Sequence, residues 1–277
     1  MKSLRWIAWL CLMAVGIACS SRPPPADGRL YYTIQEKSHF RIEWTDSAGT
    51  QVHPLLGGQD EARSPAAAPD GRSLAYLRGS PPRVHVLDLV TKSDQQVSQT
   101  RDTVSRPAWD RTGRRLAYLC FPRRGKVRLV LQWTGGEAEV LYQALNLGLP
   151  TWSPVGSRIL VSETDYAGRT SLLSMRVEGG EPEVVLEGAT QPAMGMTGTQ
   201  IALIREDKLQ LGDLFNRQCR VLVDQPGISS PSWSPTGSQL AFVREGQIWV
   251  VNSDGSGIRQ VTNSENPILD VSWGKGS

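Results

Sequence analysis

The chain has 277 residues, of which 39% are hydrophobic and 21% charged, so it has enough apolar material for a core and is not wholly disordered. Its formal net charge is +3, and removal of Lys2 and Arg5 with an N-terminal leader leaves about one excess positive charge. Because positive and negative charges are nearly equal in number, the charge does not indicate a nucleic-acid partner.

The first eighteen residues have the features of a secretory signal peptide. Lys2 and Arg5 form a short basic region, and residues 6–18 carry no charge. Thirteen helical residues span about 20 Å, which is short of the roughly 20 residues that a transmembrane helix needs. Residues 1–18 therefore predict export.

Small Ala18 directly precedes Cys19 in the stretch VGIACSS. This stretch resembles the lipobox of bacterial lipoproteins, in which the cysteine is lipidated and becomes the mature N-terminus. We expect lipidation at Cys19, with ordinary signal cleavage near Ala18 as the alternative. Residues 19–28 then form a tether, because three consecutive prolines favour an extended polyproline II segment. In such lipoproteins a serine after the cysteine, here Ser20, accompanies retention at the outer membrane.

A unit of about forty residues repeats along the rest of the chain. The units align on a glycine that follows the motif Pro-x-Trp: Gly71, Gly113, Gly156, Gly198 and Gly237. Each glycine precedes an apolar run such as LAYLR, then a second apolar run and a turn such as SDGSG or TGGEA. Turns of this composition between apolar runs are typical of β-hairpins. Each unit therefore predicts four short antiparallel strands, the content and period of a β-propeller blade.

The units predict an all-β fold, a six-bladed propeller over residues 29–277. Five complete blades are expected at about 64–99, 105–142, 149–186, 190–223 and 229–262. The sixth is expected to be composite, with residues 29–56 and 268–277 in one sheet. Closing the ring with the two chain ends leaves no long exposed sheet edge.

A proline stands two residues before the Trp position of every unit: Pro65, Pro107, Pro150, Pro192 and Pro231. Because proline has no N–H for a sheet ladder, it indicates the innermost strand, whose free edge faces the channel. The next residue is always small, as a crowded axis requires. Trp109, Trp152 and Trp233 are then expected to pack between blades; a ligand cage is the alternative.

The last repeat, PSWSPTGSQLAFVREGQIWVVNSDGSGIRQVT, resembles the repeat of the TolB family of periplasmic β-propellers, which follows the pattern Pro-x-Trp-Ser-Pro-Asp-Gly-x-x-Ile-Ala-Phe. The resemblance extends over residues 29–277, with Ala67 and Met194 in place of Trp. It implies six blades, an envelope location and partner binding at the channel mouth. TolB has an α/β domain before its propeller, which we do not expect here, so its role beside the Tol and Pal proteins is not transferred.

The sequence predicts no catalytic residue, metal site or cofactor. His39, His53 and His85 lack zinc-binding spacing, and neither a nucleophile elbow nor a phosphate-binding loop occurs. Cys120 and Cys219 are separated by a whole blade, so we expect two unpaired thiols.

The channel mouth is the predicted binding site. The residue before each proline is expected to begin an innermost strand, and loops after the second strands place further arginines and acids on the same face. The predicted site residues are Arg63, Ser64, Arg106, Gln191, Ser230 and Asp270. Arg106 and Asp270 are expected to orient a docked peptide or anionic envelope component; a solvated rim of mixed charge is the alternative.

We therefore expect a non-enzymatic lipoprotein of the bacterial envelope, periplasmic and held at the outer membrane by its lipid alone. It is expected to be a monomer that binds an envelope protein or peptide segment at the channel mouth. The alternative is a propeller enzyme, such as a polysaccharide lyase, a hydrolase or a peptidase-like enzyme, that acts on an envelope or extracellular substrate.

Overall fold

The computed structural model describes residues 28–58, 61–195 and 198–276. The predicted signal peptide, the predicted lipid site at Cys19 and all of the tether except Gly28 lie outside the described residues. Within those three ranges no helix has the length and apolarity to cross a membrane.

The described residues form twenty-five strands in six antiparallel sheets. In chain order the strands are β1 (Arg29–Glu36), β2 (His39–Asp46), β3 (Val52–Leu56), β4 (Arg63–Ala67), β5 (Ser73–Arg78), β6 (Arg83–Asp88), β7 (Asp94–Gln96), β8 (Thr103–Val104), β9 (Ala108–Trp109), β10 (Arg115–Phe121), β11 (Val127–Trp133), β12 (Ala138–Ala144), β13 (Thr151–Trp152), β14 (Arg158–Thr164), β15 (Thr170–Arg176), β16 (Glu183–Glu187), β17 (Thr190–Met194), β18 (Gln200–Arg205), β19 (Lys208–Asp213), β20 (Gln218–Val223), β21 (Ile228–Trp233), β22 (Gln239–Arg244), β23 (Gln247–Asn252), β24 (Arg259–Gln260) and β25 (Ile268–Gly274).

The six-bladed propeller with a composite blade is confirmed. The composite blade has the strand order β25-β1-β2-β3, with Leu30 opposite Trp273 and Tyr32 opposite Val271. The other blades follow in sequence: β4–β7, β8–β12, β13–β16, β17–β20 and β21–β24. We number them two to six and call the composite blade the first.

Blade three departs from the regular pattern, because its innermost strand is divided into β8 and β9, which both pair with β10. Between these pieces the Ser105 hydroxyl accepts a hydrogen bond from the backbone N–H of Leu119, at 2.9 Å. A side chain thus takes the place of a ladder bond, and the interruption leaves Arg106 outside any strand.

The apolar core lies between the faces of neighbouring blades. One cluster joins Leu77 of blade two to Tyr118 of blade three, and another joins Leu30 of blade one to Val243 of blade six. Buried Cys120 packs in the first of these clusters. Cys120 and Cys219 are both free thiols, as predicted.

Tryptophan side chains connect three of the six junctions between blades. The indole N–H of each donates to the backbone carbonyl of the small residue in the preceding blade. The pairs are Trp109 to Ala66 at 2.9 Å, Trp152 to Ala108 at 3.0 Å and Trp233 to Ala193 at 2.9 Å. All three indoles are at least nine-tenths buried, so the predicted packing between blades is confirmed.

The other three junctions use a hydroxyl group at the small-residue position. The hydroxyl accepts a hydrogen bond from a backbone N–H in the next blade. The pairs are Ser272 with Ala67 at 3.0 Å, Thr151 with Met194 at 3.3 Å and Ser232 with Trp273 at 2.9 Å. Each junction therefore has one such hydrogen bond, which we call its junction bond; alanine occurs where an indole donates, and serine or threonine where a backbone N–H donates.

Candidate functional site

The innermost strands surround a cavity of about 530 Å³ in the central channel. This volume falls within the roughly 300–1,000 Å³ of ordinary ligand pockets. Its wall includes four of the five repeat prolines, which places them at the channel edge as predicted. The aromatic rings of Trp109, Trp233 and Trp273 add apolar surface to a lining in which prolines and small residues predominate.

The cavity runs from residues that precede the prolines to residues that follow the strands. We call Arg106, Leu149, Gln191 and Ser230 its floor, and Asp70, Arg111, Pro235 and Lys275 its rim. The three charged rim residues are exposed, whereas the floor residues are half-buried. Residues 106–111 lead from floor to rim in five largely extended steps of about 3.3 Å, which gives a depth of roughly 16 Å.

The exposed, charged end of the cavity therefore lies where the innermost strands end. The sequence pattern predicts a mouth at the other face, where those strands begin. At that face the side chain of Arg106 crosses the channel. Its Nη2 donates to the backbone carbonyl of Val271 at 2.7 Å. This bond joins blade three to blade one past blade two, which lies between them in the ring.

The Arg106 guanidinium has donors to spare. A guanidinium carries five N–H groups, and the bond to Val271 is the one hydrogen bond that it makes with the described residues. Burial lowers the pKa of Arg106, and the charge of the Asp270 carboxylate opposes this lowering. Because a guanidinium is not deprotonated in proteins, Arg106 remains a cation at neutral pH.

Asp270 does not line the cavity. Its Oδ1 accepts hydrogen bonds from the Thr33 backbone N–H at 3.2 Å and the Thr33 hydroxyl at 2.7 Å. The same hydroxyl oxygen accepts the backbone N–H of Ser64 at 2.7 Å. The carboxylate therefore positions the Thr33 hydroxyl, which joins blade one to blade two, and it acts on Arg106 through its charge rather than through a hydrogen bond.

Ser64, Gln191 and Ser230 share a left-handed backbone, with φ of 57°, 48° and 53°. Each precedes a proline and lies at a register shift of its innermost strand, not at the strand's first residue. The N–H of Ser64 meets Thr33, and that of Ser230 donates to Gln191 Oε1 at 2.7 Å. A left-handed non-glycine residue costs about 1–2 kcal/mol, which for Ser64 and Ser230 these bonds to the adjacent blade offset.

The structure divides the six predicted site residues into two groups of three. Arg106, Gln191 and Ser230 line the cavity floor, whereas Arg63, Ser64 and Asp270 are outside the lining. The guanidinium of Arg63 instead stacks over the Phe40 ring, 5.0 Å from its centroid.

Sequence reasoning missed the rim. Asp70, Arg111 and Lys275 lie in or next to the turns that follow the innermost strands. Asp70 directly precedes one of the aligned glycines, and Arg111 stands two residues before another. The available signal was therefore their place beside the turn glycines of the repeat, which also indicates a turn without any role in a site.

The charges of the cavity favour an anionic ligand. Arg106, Arg111 and Lys275 give three positive charges, and Asp70 is the single carboxylate in the described lining. No second carboxylate stands there to form an acid–base pair, and nowhere in the described ranges do three or more His, Cys, Asp or Glu residues lie close enough to hold a metal. A basic cavity with apolar walls suits an acidic segment of a larger molecule.

Comparison with known proteins agrees with the fold. A family model described as the TolB beta propeller domain matches residues 27–276. TolB from Acinetobacter baumannii aligns with a TM-score of 0.78 at 16% identity, over 90% of this chain and 67% of its own. A chain of a nidogen/laminin complex aligns at 0.73 and 11%, over 88% and 97%. An oligogalacturonate lyase in complex with manganese aligns at 0.61 and 15%, over 86% and 75%. At such identities the three structures establish a shared fold alone.

Proposed function

The chain belongs to the TolB beta propeller domain family, and from this premise we propose that it is a non-enzymatic binding module of a bacterial cell envelope. Its partner is an envelope protein, and a segment of that protein enters the cavity from the rim. The envelope location rests on the resemblance to periplasmic propellers and on the signal-like N-terminus.

The observation that carries this proposal is the cavity itself. It is lined largely by prolines, tryptophans and small residues, and it has cationic side chains at both floor and rim. Such a lining offers apolar contact along its length and attraction for acidic groups, the combination found where a peptide segment docks. Charge on the rim also raises the rate at which an acidic partner finds the opening.

The position of Gly28 adds a geometric reason for a membrane-tethered module. A Cβ on Gly28 would lie 2.1 Å from the carbonyl oxygen of Gly274 and 3.2 Å from Pro235, two residues at the cavity opening. The chain therefore enters the propeller beside the rim. If Cys19 carries a lipid, a polyproline-like tether of nine residues at about 3.1 Å each holds this face within roughly 28 Å of the membrane.

Capture of envelope proteins tests the proposal. The full-length chain, purified in detergent and immobilised, is exposed to solubilised bacterial envelopes, and bound proteins are identified by crosslinking and mass spectrometry. Leu149→Trp fills the inner end of the cavity with a larger side chain. Leu145→Trp is the matched control, because Leu145 lies in the same β12–β13 connection, is exposed and does not line the cavity.

We expect one dominant protein, crosslinked to the rim, which Leu149→Trp loses and Leu145→Trp retains. Retention of that protein by both variants would move the docking site to another surface. Retention of a glycan or small molecule, with no protein, would favour the propeller enzyme. The oligogalacturonate lyase that aligns with this chain is an enzyme with the same fold.

A further inference from the structure

We propose that the cavity receives the C-terminus of a partner chain and that Arg106 binds its terminal carboxylate. This inference rests on the proposed function, since it names the part of the partner that enters. The ligand is defined at one end, which is a carboxylate on a single extended strand.

The floor of the cavity is a cluster of unused hydrogen-bond donors. Arg106 has four N–H groups without a partner among the described residues, and its bond to Val271 fixes the guanidinium across the channel. The Gln191 side chain accepts from Ser230 through Oε1, and its NH₂ group makes no hydrogen bond with the described part of the chain. Donors of this kind match the two oxygens of a carboxylate.

No carboxylate in the described part of the chain forms a hydrogen bond or ion pair with Arg106. The nearest opposing charge, Asp270, is outside the cavity lining and is engaged by both donors of Thr33. Asp70, the carboxylate of the lining, belongs to the rim, roughly 16 Å from the floor. A cation taken from water without a bonded counter-ion is costly, so an incoming carboxylate gains both charge and hydrogen bonds there.

The shape of the cavity favours a chain end over an acidic side chain on a loop. A loop must bring two backbone segments abreast to the floor, because a Glu side chain reaches only a few ångströms from its backbone. The cavity holds about 530 Å³ between proline-rich walls. One extended strand covers the depth of roughly 16 Å in about five residues. The floor is thus reached most readily by a C-terminus.

Two matched peptide pools test this inference. Both contain random N-acetylated pentapeptides without Asp or Glu; one pool ends in a free carboxylate and the other in an amide. Each is passed over the immobilised full-length chain in detergent, and retained peptides are quantified by mass spectrometry. Charged hydrogen bonds are worth enough to retain the acid pool about ten- to a hundredfold more strongly.

Arg106→Gln should remove this preference, and Arg176→Gln should keep it, because Arg176 is exposed and distant from the cavity lining. If circular dichroism shows that Arg106→Gln fails to fold, Arg106→Lys replaces it and should reduce the preference, since lysine lacks the planar fork. The acid–amide comparison on the unmodified chain needs no variant.

Equal retention of the two pools, including retention of neither, overturns the inference, as does an acid preference that survives Arg106→Gln. If Leu149→Trp abolishes capture of an envelope protein while the acid and amide pools are retained equally, this inference is wrong and the proposed function still holds. An acid preference that depends on Arg106, with no envelope protein captured, supports the carboxylate site and removes the proposed partner.

Discussion

Replacing Ser232 with alanine tests whether the junction bonds hold the ring closed. The Ser232 hydroxyl accepts the backbone N–H of Trp273 at 2.9 Å, and Trp273 belongs to β25, the strand that closes the composite blade. The change removes one oxygen and leaves the apolar contacts of the junction in place. It therefore isolates the hydrogen bond from the packing around it.

The expected loss follows from the burial of this junction. Trp273 is only 6% exposed, so its N–H loses its acceptor in a mostly water-free place. An unmade hydrogen bond of this kind costs about 1–3 kcal/mol. For a domain of this size one kcal/mol corresponds to about 2 °C, so the melting temperature should fall by roughly 2–6 °C. Because Ser232 lines the cavity, water can partly replace it, which favours the lower half of that range.

Thermal and urea unfolding, followed by tryptophan fluorescence, measure the loss. Ser232→Thr keeps a hydroxyl at the same place and should retain most of the stability. Ser238→Ala removes an exposed hydroxyl and should change the free energy of unfolding by less than about 0.5 kcal/mol. If Ser232→Ala behaves like Ser238→Ala, the junction bonds do not stabilise the ring and our reasoning is refuted.

Three further predictions follow from the fold. Deleting residues 268–277 removes the inner strand of blade one, and we expect the cooperative unfolding transition to be lost; a truncated chain that melts like the full-length one would disprove ring closure. Burial raises the pKa of Asp110, but its hydrogen bonds lower it more, so the folded pKa lies below the ordinary 3.8. The ionised Asp110 carboxylate therefore stabilises the fold above its ordinary pKa, and this stabilisation disappears as the pH falls through the pKa of the folded state. The difference in urea stability between wild type and Asp110→Asn should narrow below about pH 4, and a difference that stays constant with pH would contradict the prediction. Iodoacetamide should alkylate Cys219 before Cys120, because burial raises the pKa of the Cys120 thiol, and mass spectrometry of the two peptides would expose the opposite order.

The fold could be predicted because its signals are local and repeated. A proline at the free edge and hairpin turns at a period near forty residues have the same physical meaning in every blade. The composite blade followed from counting incomplete units at the two chain ends. None of these steps needed to know which side chains meet across a junction.

The site was harder to predict because it depends on contacts between blades. A residue before proline ordinarily adopts an extended backbone, yet Ser64 and Ser230 are left-handed because acceptors on the neighbouring blade meet their N–H groups. The sequence predicts Arg106 and Asp270 as orienting residues from their charge and their place in the repeat alone. In the structure Asp270 accepts hydrogen bonds from Thr33, and Arg106 donates one to Val271. No feature of the sequence marks either partner.

The direction in which the cavity opens links the tether to the proposed ligand. Gly28 lies beside the rim, so a lipid on Cys19 and an extended tether would hold this face within roughly 28 Å of the membrane. A folded domain fits poorly into that gap, whereas an extended C-terminal tail can enter it and still reach the floor at Arg106. A lipid-anchored tether of this length would therefore favour the same kind of ligand as the depth of the cavity does. Lengthening it with a flexible insert should then admit bulkier partners without changing the preference for a free carboxylate.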